Sequence, residues 1–309
     1  MILTVTLNPA VDKVYQVESF AVGQVFRPKD MWATAGGKGL NVSRVATILG
    51  EKARATGFLG GSNGDFIRRE LKKQGIEDAF VQISGDTRIC IAINDPVSDT
   101  STEVLEPGPI ITAKEQDRFL QNFRLVAKEA DIVTISGSLP KGVPADFYGK
   151  LIEISQALGK RVLLDTSGEP LLRSLEFTPF MIKPNETELE AIADKKIRTE
   201  QDILDTAIKI HQMGIQLVCV TLGGKGCIAV SKEGAFRLIA PSIETVSTVG
   251  SGDSFLAGCA VALVQGQPME IVLKTAMACG MANTQFAKTG YVSRELVDKF
   301  YEMVVINHL

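Results

Sequence analysis

Short runs of apolar and β-branched residues recur along the chain, separated by longer stretches whose apolar positions repeat at helical spacing. Such runs are typical of strands buried in a sheet, and the longer stretches are typical of helices packed on it. The runs that predict strands are Met1–Leu7, Arg54–Leu59, Asp131–Ser136, Arg161–Asp165, Phe180–Lys183 and Leu217–Thr221. Because strands that alternate with helices form parallel sheets, the pattern predicts an α/β protein with helices on both faces of the sheet.

Residues at the ends of the helical stretches support this order. Two stretches stop at a glycine, which readily adopts the left-handed conformation that ends a helix, and two begin with the Thr-x-x-acid spacing of a capping box. The first pair is Leu40–Leu49 and Phe66–Gln74, and the second pair begins at Thr112 and Thr199. From Phe255 onward the pattern predicts helices almost throughout, with the last one after Ser293.

Two segments, Val11–Thr34 and Thr87–Glu106, interrupt the alternation of strands and helices. Both have alternating side chains, and the second contains a polar turn at Asn94–Asp99, so each predicts extra β-strands. Both also flank glycine-rich or charged residues, and open α/β sheets bind ligands at the carboxyl ends of their strands. We therefore expect a small β-sheet lid over that edge, inserted in a single domain that spans residues 1–309.

Composition excludes several classes of protein. The chain of 309 residues is 45% hydrophobic and 22% charged, which excludes a mainly disordered chain. A total of 33 Lys and Arg against 36 Asp and Glu leaves a net charge of −3, so nucleic acid is not an expected partner. No apolar stretch approaches the roughly 20 residues of a membrane-spanning helix, and the first residues lack the basic start of a signal peptide. We expect a cytoplasmic protein that does not bind membranes.

Cysteine and histidine usage narrows the chemistry. The five cysteines include no Cys-x-x-Cys pair, and we interpret them as buried thiols. Only His211 and His308 are present, which argues against a histidine-rich metal site and against a Ser-His-Asp triad. The general bases left to a neutral-pH enzyme are therefore mostly carboxylates.

The segment Thr248–Ser254 (TVGSGDS) is a glycine-rich turn that opens an apolar helix. Its glycines free the backbone to turn N–H groups toward one point, and the helix dipole adds partial positive charge there, which predicts an anion site. The carboxylate of Asp253 suits such a site if it takes a proton from a hydroxyl that attacks the bound anion. The structural alternative is that Asp253 only caps the helix.

A second glycine-rich turn, Ala35–Val42 (AGGKGLNV), also leads into a helix and carries Lys38 and Asn41. It is not a P-loop, because no Ser or Thr follows the Gly-Lys pair, and Val42 occupies the third-glycine position of a dinucleotide fingerprint. Backbone amides, one ammonium and one side-chain amide suit a small polyhydroxy or phosphorylated ligand. A purely structural turn is the alternative.

Two further segments follow predicted strands. Lys183–Glu188 places Asn185 and Glu188 on one helix face, and their oxygens suit a hydrated Mg²⁺, although acidic residues in a first turn also simply complement the helix dipole. Val220–Gly226 has the flexible backbone of a nucleotide-edge loop or of a strand-to-hairpin turn. Separate polar residues near strand ends or in the expected lid predict a second anion site: Asp12, Arg27, Lys38, Arg88 and Ser138.

Taken together, these motifs resemble the PfkB (ribokinase-like) carbohydrate kinases over essentially the full length of the chain. The turn at 36–41 is similar to the first signature of the family, and Thr248–Gly258 is similar to the second. Thr6–Asp12 (TLNPAVD) and Ser136–Pro140 (SGSLP) are similar to the branch that acts on phosphorylated sugars. Three segments are most similar to tagatose-6-phosphate kinases, although 1-phosphofructokinases share most of these positions: Ala33–Val42, Thr87–Ile93 and Gly280–Gly290.

The resemblance implies a ribokinase-like three-layer sandwich, with a mostly parallel central sheet and a small β-sheet lid, and it implies roles for the matching residues. Asp253 would be the catalytic base, and the transferring phosphoryl group would contact the amides of Gly250, Ser251 and Gly252. The sugar would contact Asp12, Gly37 and Asn41, and its phosphate would contact Arg27, Lys38, Arg88 and Ser138. ATP phosphates and Mg²⁺ would contact Lys183, Asn185 and Glu188, and the nucleotide would contact Thr221, Gly223, Gly226 and Asn283.

The implied activity is ATP-dependent phosphorylation of a ketohexose monophosphate to a bisphosphate. Tagatose 6-phosphate is the first expected substrate and fructose 1-phosphate is the alternative. A non-catalytic sugar-phosphate or nucleotide-binding protein would not need Asp253, and a Rossmann oxidoreductase would need a dinucleotide fingerprint that the chain does not contain. Because the lid sheet pairs between subunits in such relatives, the resemblance also implies a homodimer.

Overall fold

The computed structural model describes all of residues 1–309, which form one large sheet flanked by helices and one small separate sheet. The strands are β1 (Ile2–Thr6), β2 (Ala10–Gln16), β3 (Asp30–Gly36), β4 (Ala53–Leu59), β5 (Glu77–Asp78), β6 (Val81–Gln82), β7 (Arg88–Asp95), β8 (Thr100–Leu105), β9 (Ile132–Ser136), β10 (Arg161–Asp165), β11 (Met181–Ile182), β12 (Leu217–Thr221), β13 (Cys227–Ser231), β14 (Gly234–Ile239) and β15 (Val305–His308). The helices are α1 (Lys38–Ile48), α2 (Gly61–Lys73), α3 (Ala113–Lys128), α4 (Phe147–Ala157), α5 (Gly168–Leu175), α6 (Glu186–Ala193), α7 (Glu200–Gln212), α8 (Ser251–Val264), α9 (Met269–Asn283) and α10 (Arg294–Met303).

The large sheet has 11 strands, and its centre is parallel. Strands β5, β4, β1, β9, β10, β11 and β12 lie side by side in parallel. Strands β13, β14 and β15 continue the sheet in antiparallel pairs, and β6 pairs with the end of β4. None of the helices combines the length and the apolar character needed to span a bilayer.

Alternate side chains of the central strands enter two different cores. In β1, Ile2 packs with helices α1, α8, α9 and α10, whereas Leu3 packs with α3, α4 and α7 on the opposite face. In β10, Leu163 and Leu164 divide between the same two cores. A strand whose consecutive residues are all buried belongs in a sheet covered on both faces, so the molecule has three layers. The predicted α/β class with a mostly parallel central sheet is confirmed.

The small sheet has the order β3-β2-β7-β8 and stands beside the main sheet, with β2 and β7 in parallel register. Val11 and Ala35 on its inner part pack against Ile67 and Leu71 of α2 in a third, smaller core. On the other face, Asp12 of β2 lies opposite Cys90 of β7, and both line the cavity described below. These four strands fall in the two segments that interrupt the strand-helix alternation.

The C-terminal part differs from its sequence-based prediction. Cys227–Ser231 and Gly234–Ile239 form an antiparallel hairpin, which is one of the two alternatives for the glycine-rich segment Val220–Gly226. Val305–His308 adds one more strand beside this hairpin, in the part of the chain after Phe255 where helices were predicted almost throughout. The last strand is only four residues long and mostly exposed. A segment so short and so little buried has no hydrophobic periodicity to mark it as a strand.

Strand β1 is the point at which the strand order reverses, because β4 lies on one side of it and β9 lies on the other. Connections from β1 and β9 leave in opposite directions, which opens a crevice at their carboxyl ends. Thr6 and Asn8 line this crevice from the end of β1, and Ser136 lines it from the end of β9. The fold therefore supplies a ligand site at the edge that the small sheet overhangs.

Candidate active site

A cavity of about 600 Å³ occupies the crevice between the main sheet and the small sheet. It is lined from five strand ends, from the starts of α1, α6 and α8, and from the small sheet. The predicted site residues that line it are Asp12, Gly37, Lys38, Asn41, Arg88, Ser138, Lys183, Asn185, Glu188, Thr221, Gly250, Gly252 and Asp253. Residues separated by more than 200 positions in the sequence thus come together at one place.

A second cavity, of about 380 Å³, adjoins the first and shares Thr221 and Gly252 with it. Among the predicted residues it is lined by Gly223, Gly226 and Ser251. Its walls also include Phe255 and Met277, which offer apolar surface. The two cavities therefore meet at the N-terminus of α8.

Two predicted residues do not line either cavity. Arg27 is exposed in the segment between β2 and β3, so the structure does not bring it to the site. Asn283 is fully buried behind the turn that precedes α8, where its Nδ2 donates to the Val249 carbonyl at 2.8 Å and its Oδ1 accepts from Ser254 Oγ at 3.2 Å. Asn283 therefore supports the glycine turn from behind.

The glycine turn before α8 has the geometry that a side chain would prevent. Gly250 has φ +85°, and a Cβ there would lie 2.7 Å from the backbone nitrogen of Gly290. The N–H of Ser251 donates to the Thr248 carbonyl at 3.2 Å, whereas the N–H groups of Gly252 and Asp253 have no partner in the protein. Free amides at the start of a helix attract anions, so the available donors here are those of Gly250, Gly252 and Asp253, none of which has a partner in the protein.

Asp253 is 6% exposed and lies at the bottom of the cavity. Its Oδ2 accepts a hydrogen bond from Asn41 Nδ2 at 2.8 Å, and its Oδ1 has no partner in the protein. Burial, together with the negative charge of Asp165, raises the pKa of Asp253 to about 6. A carboxylate with one free oxygen and a pKa near neutrality is suited to accept a proton.

Asp165, at the end of β10, is a site residue that the sequence analysis missed. Its carboxyl group is 1% exposed and lies between two ammonium groups, with Lys38 Nζ 3.2 Å from Oδ1 and Lys183 Nζ 3.3 Å from Oδ2. Burial opposes its ionisation, but the two lysines outweigh burial and lower the pKa of Asp165. Burial likewise opposes the charge of Lys38, and Asp165 outweighs it and raises the pKa of Lys38.

Asp12 and Arg88 form the wall that the small sheet contributes. Burial raises the pKa of Asp12 to about 6, against the attraction of Arg88 and Arg44. A Cβ at Gly36 would lie 2.0 Å from Asp12 Oδ2, so a side chain there would displace this carboxylate from the turn. Arg88 donates to the Asn8 carbonyl at 2.9 Å, which ties the small sheet to the end of β1.

Asn185 and Glu188 form a reciprocal capping box at the start of α6. Asn185 Oδ1 accepts from the Glu188 N–H at 2.8 Å, and Glu188 Oε2 accepts from the Asn185 N–H at 3.0 Å. Glu188 therefore has a structural role at the start of α6, and only its Oε1 is left over as a carboxylate ligand. No group of three or more His, Cys, Asp or Glu residues could hold a metal ion. This donor set fits Mg²⁺ carried in on phosphate groups, because Mg²⁺ keeps several waters and needs few protein ligands.

Comparison with known proteins identifies the family. The sequence matches the profile of the pfkB family carbohydrate kinases over residues 5–295. A candidate phosphofructokinase from Staphylococcus aureus is 33% identical over 100% of this chain and 99% of its own, with a TM-score of 0.87. Phosphofructokinase-2 from Escherichia coli, crystallised with potassium, is 28% identical over 98% of each chain, with a TM-score of 0.93.

A candidate 1-phosphofructokinase from Thermotoga maritima is 29% identical over 100% of this chain and 99% of its own, with a TM-score of 0.91. The profile covers nearly the whole chain, and these structures match it from end to end. The chain therefore belongs to the PfkB family of carbohydrate kinases.

Proposed function

We propose that this protein transfers the γ-phosphoryl group of ATP to a hydroxyl of a ketohexose monophosphate and so forms a bisphosphate. The observation that carries the proposal is the meeting of two cavities at the N-terminus of α8, where Gly252 lines both and the adjacent Asp253 lines the larger one. Phosphoryl transfer needs two substrates in line beside one base. Membership of a carbohydrate kinase family makes the protein a phosphotransferase. The larger cavity is the proposed sugar-phosphate site, and the smaller is the proposed nucleotide site.

The charges of the larger cavity support a phosphorylated sugar. Lys38 and Arg88 line it as cations, and we assign them to the phosphate that the substrate already carries. The same cavity is lined by the carboxylate of Asp12, the backbone of Gly37 and the side-chain amide of Asn41. These groups can form hydrogen bonds with sugar hydroxyls. Ser138, exposed at the end of β9, completes the proposed phosphate contacts.

The walls of the smaller cavity support a nucleotide. Apolar side chains such as Phe255 and Met277 suit the faces of a base, and the turn at Gly223–Lys225 brings backbone close to it. A Cβ at Gly226 would lie 2.0 Å from the Leu238 carbonyl oxygen, so the turn fits against β14 only with glycine there. Lys183 and Gly252 lie at the junction of the cavities, where the ATP phosphates would reach.

In the proposed mechanism, Asp253 Oδ1 takes the proton of the attacking sugar hydroxyl. The hydroxyl oxygen forms a bond to the γ-phosphorus while the bond from that phosphorus to the bridging oxygen of ADP breaks, and ADP leaves. The amides of Gly252 and Asp253 stabilise the charge on the transferring group. Lys38 and Lys183 add positive charge on the two sides of Asp165. The small sheet overhangs the reaction and limits hydrolysis of ATP by water.

Mg²⁺ is part of this proposal as an ion bound to the ATP phosphates. When bound, it neutralises phosphate charge and orients the γ-phosphoryl group. Glu188, through its free Oε1, and Asn185 at the cavity wall are the residues that would face the hydrated ion.

Tagatose 6-phosphate is the first proposed substrate, on the resemblance of the glycine turn and of β7 to tagatose-6-phosphate kinases. Fructose 1-phosphate is the second, and the likeness to a candidate 1-phosphofructokinase supports it. A coupled assay of ADP release with tagatose 6-phosphate, fructose 1-phosphate, fructose 6-phosphate and the free ketoses decides among them. Free ketoses should have a kcat/KM lower by about 10³ or more, because they cannot form the charge-assisted contacts of a phosphate with Lys38 and Arg88. Comparable turnover of a free ketose would contradict the phosphate site, and binding without turnover would favour a non-catalytic protein.

A homodimer formed through the small sheet, in the cytoplasm, is also part of the proposal. The outer face and edge of the small sheet expose apolar side chains, among them Met31 (61% exposed) and Val104 (56% exposed). Such exposure is unusual for residues in strands and is typical of a surface that is covered in an assembly. Sedimentation of the wild type and of a Val104→Lys variant tests this, since the charged variant should be monomeric.

A further inference from the structure

Arg44 is a buried arginine behind the proposed active site that the mechanism above does not use. It is 4% exposed and lies one turn after Asn41 on α1. Its Nη1 donates to Asn41 Oδ1 at 2.9 Å and to the Thr289 carbonyl at 2.9 Å, and its Nη2 donates to the Ala35 carbonyl. Arg44 therefore touches the glycine turn, the segment after α9 and the side chain that contacts Asp253.

The bond to Oδ1 determines which way the Asn41 amide faces. An amide side chain has one end that accepts and one end that donates. Because Arg44 can only donate, it holds Oδ1 on its own side and leaves Nδ2 to donate to Asp253 Oδ2 at 2.8 Å. Gly290, next to Thr289, packs directly against Asn41, because a Cβ at residue 290 would lie 2.4 Å from Asn41 Cβ. The hydrogen bonds therefore run in one direction only: Arg44 donates to Asn41, and Asn41 donates to Asp253.

This direction affects the proposed base. If Asn41 were turned around, its Oδ1 would face the Asp253 carboxylate, and two acceptors would be in contact. With Nδ2 donating, Oδ2 is held by a hydrogen bond, and Oδ1 is the oxygen left free in the cavity. The other charged groups that act on Asp253 are Lys38, Lys183 and Asp165. Arg44 adds a positive charge from the buried side, and Asp253 and Asp12 both attract it.

We propose that Arg44 is a positioning residue for phosphoryl transfer, which acts through the orientation of Asn41 to hold Asp253 ionised with one oxygen free. The inference rests on the proposed function, because it assigns a role in that reaction. Arg44 lies outside both cavities, so the affinity for ATP should not change when it is replaced.

The main test is a double-mutant cycle of Arg44→Met and Asp253→Asn, measured by kcat with saturating ATP and the best sugar phosphate. We expect Arg44→Met to lower kcat by about tenfold or more in the wild-type background, the scale of a misplaced base. In the Asp253→Asn background, Arg44→Met should change the residual kcat by less than about twofold, because the carboxylate that Arg44 positions is already absent. KM for ATP should stay within about twofold. Equal losses of kcat in both backgrounds would overturn the proposal.

The pH profile gives a readout that a purely structural role would not change. Removing the positive charge and the oriented amide should raise the pKa of Asp253, so the acidic limb of kcat/KM should move to higher pH by about half a unit or more. Arg44→Lys keeps the charge and should keep the limb near its wild-type position while kcat falls, because a lysine cannot hold both carbonyls and the amide. A loss of kcat in Arg44→Met with an unchanged acidic limb would also contradict the proposal.

Two controls separate folding and the proposed function from this inference. Arg161→Met removes an arginine that donates to the Leu263 carbonyl at the far end of α8, and it should leave kcat and the pH profile unchanged. Should Arg44→Met fail to fold, the same cycle with Arg44→Lys decides the question. If the wild type turns over no sugar phosphate, the proposed function fails. If it does and the cycle is additive, the inference about Arg44 alone fails.

Discussion

Lys38 and Lys183 approach the two oxygens of one buried carboxyl group, that of Asp165, at 3.2 Å and 3.3 Å. One lysine opens α1 and the other follows β11, so two distant parts of the chain are joined through a single charge. Lys38 is 43% exposed in its side chain, whereas Lys183 is 6% exposed. Asp165 therefore holds one ammonium at the cavity surface and another beneath it.

Replacement of this shared charge should destabilise the protein. We expect Asp165→Asn to lower the free energy of unfolding by about 3 kcal/mol, because it leaves the buried Lys183 without a counter-ion. Since the folded-state pKa of Asp165 is lowered, the difference should be full above about pH 4 and shrink as the pH falls below it. Asp131→Asn, at an exposed salt bridge, is the control and should change stability by less than about 1 kcal/mol. Urea unfolding at pH 7 and pH 3.5 measures both variants.

The role of Asp253 is tested most directly by Asp253→Asn. The variant should lose about 10²–10⁴ in kcat while binding of ATP and sugar phosphate stays within a few-fold, because the amide cannot accept the proton. Steady-state kinetics and calorimetric titration of each substrate separate the two effects. Retention of more than a tenth of the wild-type kcat would show that Asp253 is only a helix-cap residue.

Two carboxyl groups with a raised pKa should shape the pH dependence. The pKa values of Asp12 and Asp253 are both raised to about 6, and each acts in its ionised form in the proposed site. Below pH 6, the slope of log kcat/KM against pH should therefore be steeper by about one unit for the wild type than for Asp12→Asn. The substrate phosphate titrates near pH 6 as well, but it contributes equally to both enzymes. Identical slopes would show that Asp12 need not be ionised.

The assignment of the sugar phosphate to Lys38 and Arg88 predicts a selective effect on KM. Lys38→Ala and Arg88→Ala should each raise KM for the phosphosugar by about tenfold or more, and change KM for ATP far less, because each removes a charge-assisted contact to the phosphate. Arg27→Ala is the matched control, since Arg27 is exposed outside both cavities, and it should leave both KM values unchanged. Equal changes in the two KM values would mean that these cations do not distinguish the two substrates.

Glu188 allows helix capping to be separated from metal binding. Glutamine also completes a capping box, so Glu188→Gln should keep the melting temperature while it raises the Mg²⁺ concentration needed for half-maximal activity. Glu188→Ala should raise the Mg²⁺ requirement and should also lower the free energy of unfolding by about 1 kcal/mol. Mg²⁺ titrations at fixed ATP, together with thermal unfolding, distinguish the variants. An unchanged Mg²⁺ requirement in Glu188→Gln would limit Glu188 to capping.

The sequence predicted the parts of the fold that leave a local pattern. The central strands are buried on both faces and are therefore visible as apolar runs, and the capping boxes at Thr112 and Thr199 are formed as predicted. Asn185 and Glu188 form a third capping box, whereas from the sequence the metal site there was weighed only against acidic residues that complement the helix dipole. The strands β13 and β14 were not among the predicted strands, and their hairpin stayed one of two alternatives because the glycine turn before β13 fits both.

The site residues that were missed depend on contacts distant in sequence. Asp165 is the last residue of a strand, and only the register of β10 beside Ser136 brings it between two lysines. Arg44 is one of several consecutive buried residues in the middle of α1, and nothing near it in sequence indicates that it contacts Thr289. Asn283 was placed at the nucleotide, but its amide faces a backbone carbonyl instead.

The central position of β1 has a consequence for synthesis of the chain. β1 is made first, yet its second neighbour, β9, begins at Ile132. At about 5–20 residues per second, one edge of β1 waits on the order of ten seconds for its partner, and an unpaired edge can join other chains. Asp253 follows later still, on a helix that closes over β1. A growing chain on the ribosome is therefore exposed to aggregation early, and it gains the proposed base only when most of its length has been made.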